Sequence, residues 1–263
     1  VLADGEVVQL RRRSVSRKPA DNSPREEELV HRVSRLLERE QTLVEEYRPK
    51  TCVNRSGYQL HGVLDQGDID LGKLFAGSEG TLGLITQAVV TTDPLPNCRG
   101  VVLAFFDRLE NAAIGAQMTA AMGASACDLM DRRLLSMARE SDPRYDVVIP
   151  AQAEAMLLVE CEDEDIPQLR DRLRAIVNKL HRRRRLAFDT RLALEADEVE
   201  FYWRLVRRVV PSLYRLKGQT RALPFVEDIA VPPKQLPDFL VRVQNVFKAH
   251  QITASVFAHA GHD

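Results

Sequence analysis

The segment Gly77-Ser78-Glu79-Gly80-Thr81-Leu82-Gly83 puts glycines and small hydroxyls side by side just ahead of the apolar run Leu84–Val90. Glycine lacks the Cβ that keeps a backbone at a distance, so such a loop can bring N–H groups and hydroxyls against an anionic or polar cofactor. The same composition also serves a plain packing turn. A second group is Trp203-Arg204-Leu205-Val206-Arg207. A guanidinium fork can bind both oxygens of a carboxylate at once, and the same stretch reads equally as a solvated basic helix face. Arg221, Glu227 and Asp228 form a third group, readable as a structural ion pair. The last is Val256-Phe257-Ala258-His259-Ala260-Gly261-His262-Asp263, an apolar strand-like run that delivers imidazoles. One imidazole alone does not make a metal site, since zinc takes three or four ligands.

The elements that must carry these groups follow from periodicity. Asp4-Gly5 predicts a tight turn opening an edge hairpin into Glu6–Leu10. Ser23-Pro24-Arg25-Glu26 is a capping box ahead of apolar residues at helical spacing, predicting a helix to about Tyr47. Residues 84–90 read as a strand. Pro94 and Pro96 mark the domain boundary, with 1–95 on one side and 96–263 on the other. Beyond it, strands are expected at 101–106, 126–130, 155–161, 186–189, 225–231 and 253–258, with helices at 109–122, 134–139, 166–180 and 236–249. That alternation predicts an α+β layer, with helices on one face of a mainly antiparallel sheet in the split βαβ arrangement.

Bulk properties exclude several classes. Lys plus Arg (37) nearly balances Asp plus Glu (38), so no overall field draws nucleic acid or an anionic membrane. The run His181–Arg185 ends a helix, where cations favour the dipole. The four cysteines form no CxxC pair, which speaks against an iron–sulfur cluster, a zinc ribbon or a disulfide framework in this segment. No apolar stretch reaches the length of a membrane span. A reducing, cytoplasmic setting is expected. The chain starts on Val1 and stops at Asp263, directly after a strand-like run, so it reads as a piece of a longer protein.

The ordered series Asn54-Arg55-Ser56-Gly57-Tyr58, Asp70-Leu71 and Leu74-Phe75-Ala76-Gly77-Ser78-Glu79-Gly80-Thr81-Leu82-Gly83-Leu84-Ile85-Thr86 resembles the second FAD-binding subdomain of vanillyl-alcohol-oxidase (PCMH-type) flavoproteins. It is most similar to the FAD-linked oxidases that include D-lactate and D-2-hydroxyglutarate dehydrogenases, and the stretch Leu216–Pro232 resembles their large branch, which carries an iron–sulfur region further along the polypeptide. The resemblance implies the C-terminal part of a PCMH-type FAD-binding domain in 1–95. In 96–263 it implies a truncated FAD-linked oxidase C-terminal domain of ferredoxin-like α+β type. Ser78, Glu79, Gly80, Thr81, Gly83 and the backbone of Ile85 would line the cofactor, with Asn54 and Gly57 as further contacts. The family's pyrophosphate loop lies upstream of the hairpin, so this segment alone should bind FAD poorly.

In the same family a helix arginine meets the substrate carboxylate. Arg207 is the first match and Arg204 the second, with Arg221 near the active-site face. His259 matches the first ligand of a divalent-metal motif, with zinc as the cation expected in the intact protein, while His262 stands where many relatives have aspartate. The implied function is FAD-dependent oxidation of a D-2-hydroxy acid to the 2-oxo acid, in the cytoplasm or at the inner face of a membrane. The electron acceptor is left open. The alternative is a catalytically silent α+β module that binds an anion or a protein and keeps only the scaffold.

Overall fold

A computed structural model describes residues 1–16, 23–51, 57–214, 222–223 and 229–261. The chain divides into two compact units, one of Val1–Asp93 with Val226–Ala230 and one of Pro94–Phe225 with Val231–Asp263.

The first unit contains β1 (Arg12–Ser14), α1 (Pro24–Arg39), α2 (Gln41–Glu46), β2 (Leu64–Asp65), β3 (Asp68–Asp70) and α3 (Leu71–Phe75). Ser23 caps α1 by accepting from the Glu26 N–H at 3.2 Å, with Pro24 in the first turn, while Glu26 Oε1 accepts from the Gln9 N–H at 2.6 Å, so only the serine half of the expected capping box is seen among the described residues. The helix stops early, however: Glu40 leaves helical geometry (φ −100°, ψ 15°) and separates α1 from α2. The three short strands form an antiparallel sheet in the order β1-β3-β2. Its small core joins Val30 and Leu37 of α1 to Val63, Ile69 and Leu71.

Two expectations fail in this unit. The Asp4-Gly5 turn is present, with Gly5 at φ 85° and its N–H donating to the Leu2 carbonyl, yet residues 6–10 form no strand. Residues 84–90 form no strand either, and Val89 is 98% exposed. A strand needs a ladder partner for its backbone groups. Among the described residues Val1 is the one that pairs with this run, exchanging two 2.8 Å bonds with Leu84.

The second unit is built on β4 (Cys98–Phe106), β5 (Ala126–Asp131), β6 (Ala155–Asp163), β7 (Ala187–Ala193) and β8 (Phe257–His259). They form one antiparallel sheet in the order β7-β4-β6-β5-β8. Helix α4 (Leu109–Ala120) links β4 to β5 and α7 (Ile166–Val177) links β6 to β7, so each joined pair is split by a strand of the other. Both helices pack with α10 (Leu236–Ala249) on one face, over Val102, Ala104, Phe106, Leu157 and Val159.

The strand expected at 253–258 begins only at Phe257, and of the one expected at 225–231 the described residues 229–231 form no strand. Helices on one face only is a further expectation that fails. The opposite face, carrying Val101, Leu103, Phe105, Met156 and Leu158, is covered by α5 (Arg132–Ser141), α6 (Pro143–Val148) and α8 (Ala196–Arg207), with α9 (Val209–Tyr214) following α8. The physical reason lies in the central strands. Val101–Phe106 is apolar at every position and fully buried, the mark of a strand covered on both sides.

Candidate functional site

Each unit carries its own set of candidate groups. In the first, three residues of the loop after α3 are left-handed: Gly77 (φ 80°), Glu79 (φ 51°) and Gly80 (φ 77°). Glutamate in this region is strained where glycine is not. The turn is held from inside. Ser78 is buried, its N–H donates to the Phe75 carbonyl at 3.1 Å, and its carbonyl accepts from the Thr81 N–H (2.9 Å) and hydroxyl (2.6 Å). Thr81 Oγ1 also lies 2.7 Å from the Tyr58 hydroxyl, which ties the neighbourhood of Gly57 (φ 69°) to the loop.

A Cβ on Gly77 or Gly80 would meet nothing within 4 Å, so both flank open space. A Cβ on Gly83 would come 2.8 Å from the Val1 carbonyl oxygen, so this glycine is required by backbone approach. The N–H groups of Glu79, Gly80, Leu82, Gly83 and Ile85 bond to no other described residue, and Ile85 is exposed. Backbone donors left unpaired by the described residues, beside the open space at Gly77 and Gly80, suit an anionic or polar cofactor. Asn54, Arg221, Glu227, Asp228 and His262 lie outside the described residues.

In the second unit the groups sit on the sheet face covered by α5, α6 and α8. Strand alternation places Asp128 on the same face as Met130, Glu160 with Leu158, and His259 with Phe257. Asp128 and His259 are direct partners across β5 and β8, and His259 Nδ1 lies 2.6 Å from Asp128 Oδ1. The Asp128 side chain is 4% exposed and the His259 side chain 73%. Burial raises the Asp128 carboxyl above its usual range, and the His259 hydrogen bond and charge offset part of this.

Glu160 accepts the Trp203 indole N–H at 2.6 Å and lies 4.0 Å from Arg99. Its carboxyl is likewise pushed up, by burial before all else. Arg207 lies over the Trp203 ring at 5.9 Å and donates to Glu200 at 2.7 Å, while Arg204 lines an open groove with Arg144 and Phe201. Trp203 thus connects α8 to the sheet, and the face collects His259, Asp128, Glu160 and the Trp203–Arg207 pair.

Asp128 and Glu160 were not singled out by motif reasoning. The available signal was a carboxylate inside an apolar strand, Cys127-Asp128-Leu129-Met130 and Leu158-Val159-Glu160-Cys161, since a buried polar group is the informative exception. Among the described residues no group of three His, Cys, Asp or Glu is placed to hold a metal ion.

Residues 95–263 match the family model "FAD linked oxidases, C-terminal domain", well over half of the chain. The chain belongs to the FAD-linked oxidase family. It is 28% identical over 239 residues to D-2-hydroxyglutarate dehydrogenase of Pantoea ananatis, covering 86% of this chain and 23% of that protein. It is 35% identical over 200 residues to glycolate oxidase subunit GlcD of Escherichia coli, covering 71% and 38%. It is also 25% identical over 214 residues to the mitochondrial D-lactate dehydrogenase [cytochrome] 1 of Saccharomyces cerevisiae, covering 78% and 33%. The chain therefore spans between about a quarter and two fifths of these relatives. Among the described residues no helix is long and apolar enough to cross a membrane.

Proposed function

We propose that the chain is part of an FAD-dependent oxidoreductase that converts a D-2-hydroxy acid, of the D-lactate or D-2-hydroxyglutarate type, to the 2-oxo acid. The observation that carries this reading is the family match over 95–263, joined to relatives whose names are those of hydroxy-acid dehydrogenases and oxidases. Residues 1–95 are read as the C-terminal part of a PCMH-type FAD-binding domain. The order β7-β4-β6-β5 with two crossover helices on one face is read as a ferredoxin-like α+β core, extended by β8. A cytoplasmic setting, on or off a membrane surface, belongs to the same reading.

FAD, when bound, supplies the acceptor for the hydride leaving the substrate Cα. The chain's own residues bind and orient. The N–H groups of Glu79, Gly80, Leu82, Gly83 and Ile85, on a loop pinned by Ser78 and Thr81, would meet the cofactor's polar edge, with Gly57 and Asn54 alongside. Arg207 would leave Glu200 to grip the substrate carboxylate with both nitrogens of its fork, and Arg221 is assigned to the same face. His259 would accept at Nε2 from the substrate side, as a hydrogen-bond acceptor or as one ligand of a divalent cation such as zinc. The reaction balances as one hydride to the flavin, one proton to a base and one C=O formed.

The test is made on the full-length gene product that contains these 263 residues. Purified with FAD, it is expected to be yellow and to bleach anaerobically on addition of D-lactate or D-2-hydroxyglutarate. A colourless protein that takes up no FAD, or a flavin that no D-2-hydroxy acid reduces, overturns the reading. The existing Arg207–Glu200 pair favours the second reading, a scaffold that binds an anion or a protein without catalysis, and the same experiment decides between them.

A further inference from the structure

We infer that Asp128 is the positioning residue of His259: it accepts a hydrogen bond from Nδ1–H, fixes the imidazole in the Nδ1–H tautomer and leaves the Nε2 lone pair as the working atom. The inference rests on the reading of His259 as a site residue, but its test needs neither flavin nor substrate.

The imidazole is constrained by its strand, a ring contact and a hydrogen bond. Strand β8 is zipped to β5 on both sides of the histidine. The Asp131 N–H donates to the Val256 carbonyl, Asp131 Oδ2 accepts the Val256 N–H at 2.9 Å, and the Ala260 N–H donates to the Cys127 carbonyl at 2.7 Å. The ring plane is set by Phe257, edge-on at 5.2 Å and 84°. The remaining freedom, rotation and tautomer, is removed by the 2.6 Å contact to Asp128.

Exposure differs sharply within the pair. Asp128 lies inside an apolar strand at 3% exposure, where a carboxylate without a partner is costly, and His259 is its partner among the described residues. Asp128 holds Nδ1 from inside the sheet, so only the nitrogen that it does not touch is available to a ligand. A carboxylate behind one ring nitrogen raises the basicity of the other and fixes which is deprotonated. The ligand selected is therefore an electron-pair acceptor, either a divalent cation or a hydroxyl proton.

The test is a long-range 1H–15N correlation spectrum of the histidine rings in the full 263-residue chain, with His259 assigned by its loss in His259→Gln. In the wild type His259 is expected as the Nδ1–H tautomer. In Asp128→Asn, and more completely in Asp128→Ala, the population should reverse towards the Nε2–H form that free imidazole prefers. The backbone amide spectrum of Asp128→Asn, the near-isosteric variant, reports whether the fold is kept. An Nε2–H tautomer in the wild type overturns the inference. So does an unchanged tautomer in both folded variants. Failure of the flavin test leaves these outcomes as they stand, and a reversed tautomer would not rescue the flavin reading.

Discussion

The two units solve the burial problem differently. The second sandwiches a five-stranded sheet between helices on both faces, and its central strands are fully buried. The first rests on a handful of apolar contacts beneath strands of two or three residues and leaves Leu84, Ile85, Val89 and Val90 in solvent. The candidate groups follow suit. In the second unit they are side chains held by a rigid sheet; in the first they are backbone donors held by turn geometry. Side chains on a sheet are positioned by long-range packing, whereas a glycine loop is positioned by local dihedral angles.

Substitutions separate these two modes, beginning with the largest expected effect. Phe105→Ala empties a site in the core under α5, α6 and α8 and should cost about 3–5 kcal/mol by denaturant unfolding. A cost below about 1 kcal/mol would mean that this layer is not the cooperative core. Gly100→Ala tests space: its Cβ would lie 2.5 Å from Leu173 Cδ1 and 3.1 Å from the Ala193 carbonyl oxygen, and overpacking should cost about 1–3 kcal/mol. Amide exchange should quicken along β4 and β7.

Gly80→Ala tests conformation. Nothing stands within 4 Å, yet φ is 77°, so roughly 1 kcal/mol of strain is expected, with exchange altered only around the Ser78–Thr81 turn. An equal response in β4 would erase the distinction between the units.

The smallest effect is pH-linked. The buried Glu160 carboxyl has its folded pKa raised by burial, so its contribution to stability is complete below the unfolded value and is lost as pH rises through the folded one. Glu160→Gln keeps an acceptor for Trp203 and carries no charge to bury. It should gain on the wild type as pH rises above the unfolded carboxyl value near about pH 4, by less than about 1 kcal/mol. Thermal melts on both sides of that value check the sign.

What the sequence revealed tracks how local the cause is. The α1 cap at Ser23, the Asp4-Gly5 turn and the glycine loop are written in neighbouring residues and are legible. The alternation of strands and helices in the second unit is legible too, because each element carries its own period. The two-sided cover of the sheet was present in the unbroken apolar run Val101–Phe106, but it required weighing that run against the regularity of the helices. The strand expected at 84–90 illustrates the limit. Its composition suits a ladder, and only a partner strand decides whether one forms. His259 was found through motif order, whereas Asp128 is 131 residues away and becomes its partner only when β8 docks on β5.

The left-handed residues 77, 79 and 80 have one more consequence. Their bend is bonded shut through Ser78 and Thr81 before any ligand arrives, so the loop forfeits little conformational entropy on docking. Recognition there should behave as lock-and-key encounter, with an on-rate set by diffusion and orientation and insensitive to loop-ordering steps.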